Sequence, residues 1–153
     1  MLEVTTLTHE PELGSHFKSL NEEWLLKYFQ IEPIDKHVLS QPDEIIAKGG
    51  QIIYACLGEA VVGCVALKHH GRQIYELTKM AVTRQYQAHG IGAILMQRAI
   101  EEFSHLGGTK LYLETHSSLQ PAIKLYGRFG FVKKPHPFES EYARSDYYME
   151  FQQ

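Results

Sequence analysis

Met1–Leu7 alternates apolar and polar residues and is rich in Thr and Val, so it reads as a strand. Thr8 then offers an N-cap, and Glu10 and Glu12 suit the positive end of a following helix. Leu13, Phe17, Leu20, Trp24 and Tyr28 recur at helical spacing, and Pro33 is expected to stop that helix. Pro42 to Lys48 reads as a second, short helix before Gly49-Gly50. The pattern then shortens to runs. Gln51–Leu57 and Val61–Lys68 form a hairpin about Gly58-Glu59, and Gln73–Val82 adds a third strand of the meander.

The second half changes period. After polar Gln85–His89, Gly90 and Gly92 lead into an amphipathic helix whose stripe is Ile91, Ile94, Leu95, Ala99, Phe103 and Leu106. Gly107-Gly108 ends it. Lys110–Glu114 is a short strand. Ser118 can cap the next helix, with Pro121 in its first turn and Ala122, Leu125, Tyr126 and Phe129 on its buried face. Gly130 stops that helix, and Phe131–Lys133 and Asp146–Phe151 form a last strand pair around a loop with Pro135 and Pro137. The fold class is therefore mixed α/β: a mostly antiparallel sheet, about four helices, and one parallel neighbour pair made by a βαβ crossover from Val82 to Lys110.

The chain's 153 residues fit one domain, 1–153. With 44% apolar and 22% charged residues, a packed globule is expected. A net charge of −3 argues against non-specific nucleic-acid binding. No apolar run approaches the roughly 20 residues that span a bilayer, so no membrane partner is expected. The first residues lack a basic stretch ahead of an apolar one, and lone Cys56 and Cys64 suit a reducing compartment, which makes the cytoplasm the expected location. The nine histidines show no metal-ligand spacing, so no metal is expected. His69 and His70 are adjacent in a strand and point to opposite faces. Cys64 reads as packing rather than as an acylated nucleophile.

The informative segment is Val82 to Gly92, which joins a strand to a helix start. A helix start leaves about four N–H groups unpaired and carries roughly half a positive charge, so it can hold an anion such as a pyrophosphate. A tight turn ahead of a packed helix would use the same two glycines, and spacing alone leaves both readings open. Neither a Walker loop nor a Rossmann fingerprint is present.

Gln87-x-x-Gly90-Ile-Gly92, placed after Glu76-Leu-Thr-Lys-Met80-Ala-Val82, resembles the acetyl-CoA loop of the GNAT superfamily of N-acetyltransferases. Leu113-Glu-Thr-His-Ser-Ser-Leu-Gln-Pro-Ala122-Ile-Lys-Leu-Tyr126-Gly-Arg-Phe-Gly130-Phe131 resembles that family's strand-plus-helix signature. Asn21-Glu-Glu-Trp24 and Tyr142-Ala-Arg144-Ser-Asp146 are similar to the acetyltransferase half of MarR–GNAT fusion proteins.

The resemblance implies the function: acetyl moves from acetyl-CoA to a primary amine, small-molecule or peptide, by direct attack in a ternary complex. Pantetheine would pair with the backbone of Met80, Ala81 and Val82. The pyrophosphate would lie on Gln87, Ala88, His89, Gly90, Ile91, Gly92 and Ala93. Ala88 stands where the family often has glycine, and His116 where it often has an asparagine that contacts the cofactor. An alkylammonium, with a pKa of about 10, must lose a proton before it attacks. Glu76 is the implied base, directly or through water, unless it pairs with Lys79 or a cation on a neighbouring strand. Tyr126 is the implied partner of the departing thiolate, unless its hydroxyl is satisfied in the core. Trp24, Tyr28, Phe29, Tyr142 and Arg144 are candidates on the acceptor side; Arg144 could grip an acceptor carboxylate in a fork or pair with Asp146 or Glu141. A homodimer is compatible with the family, and a non-catalytic acyl-CoA sensor or a nucleotide-binding turn are the competing functions.

Overall fold

The computed structural model describes residues 3–152. Met1 and Leu2, expected to open the first strand, lie outside the described residues. The chain runs β1 (Val4–Thr8), α1 (Gly14–Tyr28), α2 (Pro33–Ser40), α3 (Pro42–Ala47), β2 (Gln51–Leu57), β3 (Ala60–His69), β4 (Ile74–Val82), α4 (Ile91–His105), β5 (Lys110–Thr115), α5 (Gln120–Arg128), β6 (Phe131–Lys134) and β7 (Tyr147–Phe151). Seven strands form one sheet in the order β1-β2-β3-β4-β5-β7-β6. Among the described residues only β4 and β5 pair in parallel, across the α4 crossover.

Local chemistry explains where helix boundaries depart from expectation. Thr8 is still in β1, opposite Ile53, and caps nothing. Pro11 holds the preceding Glu10 extended (φ −129°, ψ 152°), so a 3-10 turn at Pro11–Leu13 has to come before α1. The helix then ends at Tyr28, short of Pro33. Pro33 instead begins α2, a helix that was not expected, where a capping box joins Glu32 to the Asp35 backbone and Asp35 to the Glu32 backbone. Ser118 does not cap α5, because its hydroxyl is engaged with His116 Nδ1 at 2.7 Å. The helices number five, against about four expected.

Helices cover both faces of the sheet. On one face α4 buries Ile91, Leu95, Met96, Ala99 and Phe103 against Ile53, Val65 and Leu77. Ile94, expected in that stripe, is 37% exposed, and Met96 takes the buried place. Ala122, Leu125, Tyr126 and Phe129 of α5 are half-buried. On the other face α1, α2 and α3 bury Phe17, Leu20, Leu25, Val38, Leu39 and Ile45 over Ile52, Tyr54 and Cys64.

Gly63 of β3 sets how closely α4 approaches. A Cβ there would lie 3.1 Å from Leu95 Cδ1 and 3.4 Å from Ile91 Cγ2. Gly63→Val should overpack this contact at a cost of about 2 kcal/mol. Thermal unfolding should then start roughly 4–8 °C lower.

Candidate active site

The parallel pair is short. Ile74, Tyr75 and Glu76 pair with Lys110, Leu111 and Tyr112, and there the ladder stops. From Leu77 to Val82, β4 stays hydrogen-bonded to β3 alone, so its other edge is open. The strands part as a V with Glu76 at its apex. The slot between them is lined by Leu77, Met80, Leu113, His116, Tyr126 and Glu76 itself.

A bulge widens the opening. Cys64 faces Ala81 and Ala66 faces Thr78, so two β4 residues, Lys79 and Met80, oppose the single Val65. Lys79 sits at φ 57°. Strict alternation would send Leu77 and Met80 to opposite faces, but both pack on the α4 side. Lys79 instead reaches the α2 side, where its Nζ lies 2.7 Å from Asp35 Oδ1. The bulge carbonyl of Lys79 accepts the Cys64 thiol at 3.6 Å. Burial pushes that thiol up to about 12, which keeps it protonated and supports packing over nucleophilic chemistry.

Glu76 is 5% exposed, on the α1–α3 side of the slot. Its Oε1 lies 2.9 Å from His70 Nε2, so its partner is His70 rather than Lys79. His69 turns to the other face and stacks on Tyr75, as alternation requires. Tyr126 projects from α5 into the slot, and burial pushes its phenol up to about 12. Among the described residues its hydroxyl makes no hydrogen bond. His116 lines the slot, but its Nδ1 already accepts the Ser118 N–H at 3.1 Å while Nε2 faces Asp146 Oδ2 at 3.6 Å.

Past the slot, Gln87 Nε2 donates to the Val82 carbonyl at 3.0 Å and folds the loop back on β4. Glu23 of α1 holds the other side, accepting the Arg84 N–H at 2.9 Å. Ala88 takes φ 66° despite its Cβ, a strain of about 1–3 kcal/mol. Gly90 follows at φ 82° as the N-cap of α4. The result is a row of donors: among the described residues, the amides of Ala88 to Ala93 have no hydrogen-bond partner. Gly92 has a second role, since a Cβ there would lie 3.3 Å from Leu125 Cδ2 of α5.

The acetyltransferase (GNAT) family matches residues 17–131 of the chain, and these include most of the slot's lining and the loop. The chain belongs to the GNAT acetyltransferase family. It shares 24% identity over 85 residues with a mycothiol acetyltransferase of Corynebacterium glutamicum, a match covering 56% of this chain and 29% of that protein. Among solved structures, a GNAT acetyltransferase from Staphylococcus aureus Mu50 superposes with a TM-score of 0.86 at 17% identity, covering 97% of this chain and 98% of that one. An acetyltransferase from Salmonella typhimurium, solved with acetyl-CoA, gives 0.77 at 16% identity, covering 97% and 93%. The PaiA N-acetyltransferase of Thermoplasma acidophilum, solved with coenzyme A, gives 0.76 at 16% identity, covering 99% and 100%. At these identities the structural likeness establishes the fold.

Of the residues expected on the acceptor side, Trp24, Phe29, Tyr142 and Arg144 line the slot, whereas Tyr28 is 41% exposed and outside it. Arg144 pairs with neither Asp146 nor Glu141. It grips Asp35 through two bonds of 2.8 Å and reaches Glu32 at 3.0 Å. Asp35 has 0% exposure and joins this guanidinium to the buried Lys79 ammonium, with Tyr142 lying under both cations. Burial alone would raise the Asp35 carboxyl, but the Arg144 and Lys79 bonds outweigh it and hold the pKa down at about 2. Sequence reading missed Asp35, Glu32 and Lys79. The Glu32-x-x-Asp35 spacing ahead of an apolar run was the available signal. Neither a metal-binding cluster nor a helix long and apolar enough to cross a membrane occurs among the described residues.

Asp35→Asn would leave Lys79 and Arg144 buried without their shared counterion, a loss of about 3–5 kcal/mol. Because the folded-state pKa is depressed, the wild-type advantage is present above about pH 4 and disappears as pH falls toward 2. Denaturant unfolding of both proteins from pH 7 downward should show the gap close in that window.

Proposed function

We propose that the chain is an N-acetyltransferase that uses acetyl-CoA as co-substrate and transfers the acetyl group to a primary amine by direct attack in a ternary complex. The observation that carries this is the run from the open edge of β4 to the free amides of Ala88–Ala93. An extended pantetheine arm fits the first as an added strand. A diphosphate fits the second, where helix-start donors converge. The likeness to relatives holding acetyl-CoA or coenzyme A supports the same assignment.

Each residue's part follows from its placement. A main-chain N–H on Met80–Val82 polarises the thioester carbonyl and stabilises the charge that develops on its oxygen. Glu76, at the apex with one oxygen held by His70, takes the proton from the acceptor ammonium, directly or through a water. The free amine then bonds to the acetyl carbon as the carbon–sulfur bond breaks, and the second proton, left on the new amide nitrogen, passes to water. The thiolate leaves beside Tyr126. A phenol near 12 is a weaker acid than a thiol of about 8.5, so Tyr126 stabilises the thiolate by donating a hydrogen bond while keeping its proton. His116 walls the slot near the thioester end. Trp24 and Tyr142 flank the acceptor, and Arg144 holds the wall in place through Asp35.

Acetyl-CoA turnover with a panel of amines, read as thiol release, tests the reading. Coenzyme A binding without thiol release from any amine would favour a sensor, and stabilisation by ATP but not by coenzyme A would favour a nucleotide site. Glu76→Gln should lower kcat by about 10²–10⁴ with coenzyme A affinity nearly intact, and an unchanged rate removes Glu76 as the base. Gly92→Val should force α4 from Leu125 and weaken coenzyme A binding, as calorimetry would show.

A further inference from the structure

A second cavity, of about 380 Å³, opens on the α1–α3 side of the sheet and shares Glu76, Glu114 and Tyr142 with the slot. Its far wall comes from the loop after β6. Four carboxylates line it: Glu76, Glu114, Glu139 and Glu141. Two lysines, Lys68 and Lys110, oppose them, and Lys110 Nζ lies 3.4 Å from Glu150 outside the cavity. The excess is therefore negative. Glu76 and Glu114 are side chains 7% and 8% exposed, and each uses only Oε1 within the protein. Their Oε2 atoms have no partner among the described residues.

The remaining wall is aromatic. Tyr112, 6% exposed, stacks on Tyr148 at 5.5 Å and meets the edge of Phe138 at 5.6 Å. The Tyr112 hydroxyl makes no hydrogen bond among the described residues, although the residue is almost wholly buried in the cavity wall. Burial first, and then the Glu76 and Glu114 charges, raise the Tyr112 phenol well above its ordinary range, as a negative local potential requires. Buried carboxylates with spare oxygens beside aromatic faces suit an alkylammonium, which donates hydrogen bonds to the first and gains cation–π attraction from the second. A carboxylate-bearing acceptor is disfavoured, because the four carboxylates outnumber Lys68 and Lys110 and the Arg144 guanidinium is already spread over Asp35 and Glu32.

We propose that this cavity selects acceptors carrying a second ammonium group, aliphatic diamines and polyamines, and holds that group while the reacting nitrogen lies at Glu76. The proposal rests on the acetyl-transfer reading for its chemistry but not for its binding. Three acceptors of matched length separate the terms: 1,5-diaminopentane, n-pentylamine and 5-aminopentanoate. Thiol release should give kcat/KM about tenfold higher for the diamine than for pentylamine, with aminopentanoate lowest by a further tenfold. Calorimetry on the coenzyme A-loaded protein should show the diamine binding, and binding should weaken as salt rises. Glu139 and Glu141 are exposed loop residues, so the E139Q/E141Q double variant retains the fold. In that variant the diamine preference should shrink to about threefold or less. Equal kcat/KM for diamine and pentylamine, a preference for aminopentanoate, or no diamine binding would overturn the cavity's role and leave acetyl transfer standing. Diamine binding without thiol release from any amine would do the reverse.

Discussion

A strand that leaves its neighbour must be held from elsewhere, and in this molecule a buried charge cluster does the holding. Beyond Glu76, β4 has lost β5, and the bulge at Lys79 and Met80 weakens its grip on β3 as well. Lys79 compensates through Asp35, which α2 presents with its backbone capped by Glu32. Arg144 completes the cluster and brings in the segment before β7. An ion pair taken out of water is not by itself a source of stability, and its desolvation can outweigh its attraction. What this cluster supplies is position. Three distant parts of the chain, α2, the β4 bulge and the last loop, can satisfy their charges only in one arrangement, and that arrangement keeps the slot open.

The two ends of the slot follow different physics. At the loop end the protein offers main-chain donors and little side-chain charge, which suits an anion that must be held and then released. At the apex it offers side chains: a carboxylate steadied by His70, a phenol without a partner among the described residues, and aromatic walls. Placing Glu76 on the last paired position of β4 gives it the rigidity of the closed sheet on one side and the opening of the slot on the other.

The sheet was legible because its strands carry their own punctuation. Gln51–Leu57 was read to the residue, and the Val82-to-Gly92 loop announced itself through Gln87, Gly90 and Gly92. The parts that escaped depend on partners far along the chain. Asp35 looks like an ordinary helix acid until Arg144, 109 residues away, is known to face it. His70 meets Glu76 only once the hairpin register is set. The bulge was visible in principle, as Leu77, Met80 and Val82 break the period of two, but one broken step in a short strand is weak against a reading that wants regularity. Pro33 reads as a stop because proline ends helices, yet the same ring is favoured at a helix start, and Glu32 with Asp35 decides which applies.

Gly92 touches Leu125 where the first turn of α4 meets α5, the helix that bears Tyr126. The donor row and the phenol therefore stand on two helices braced at a contact where a methyl group would crowd Leu125. That brace helps to set their separation. On the acetyl-CoA reading proposed above, that spacing acts as a ruler for the distance between a ligand's anionic and reactive ends.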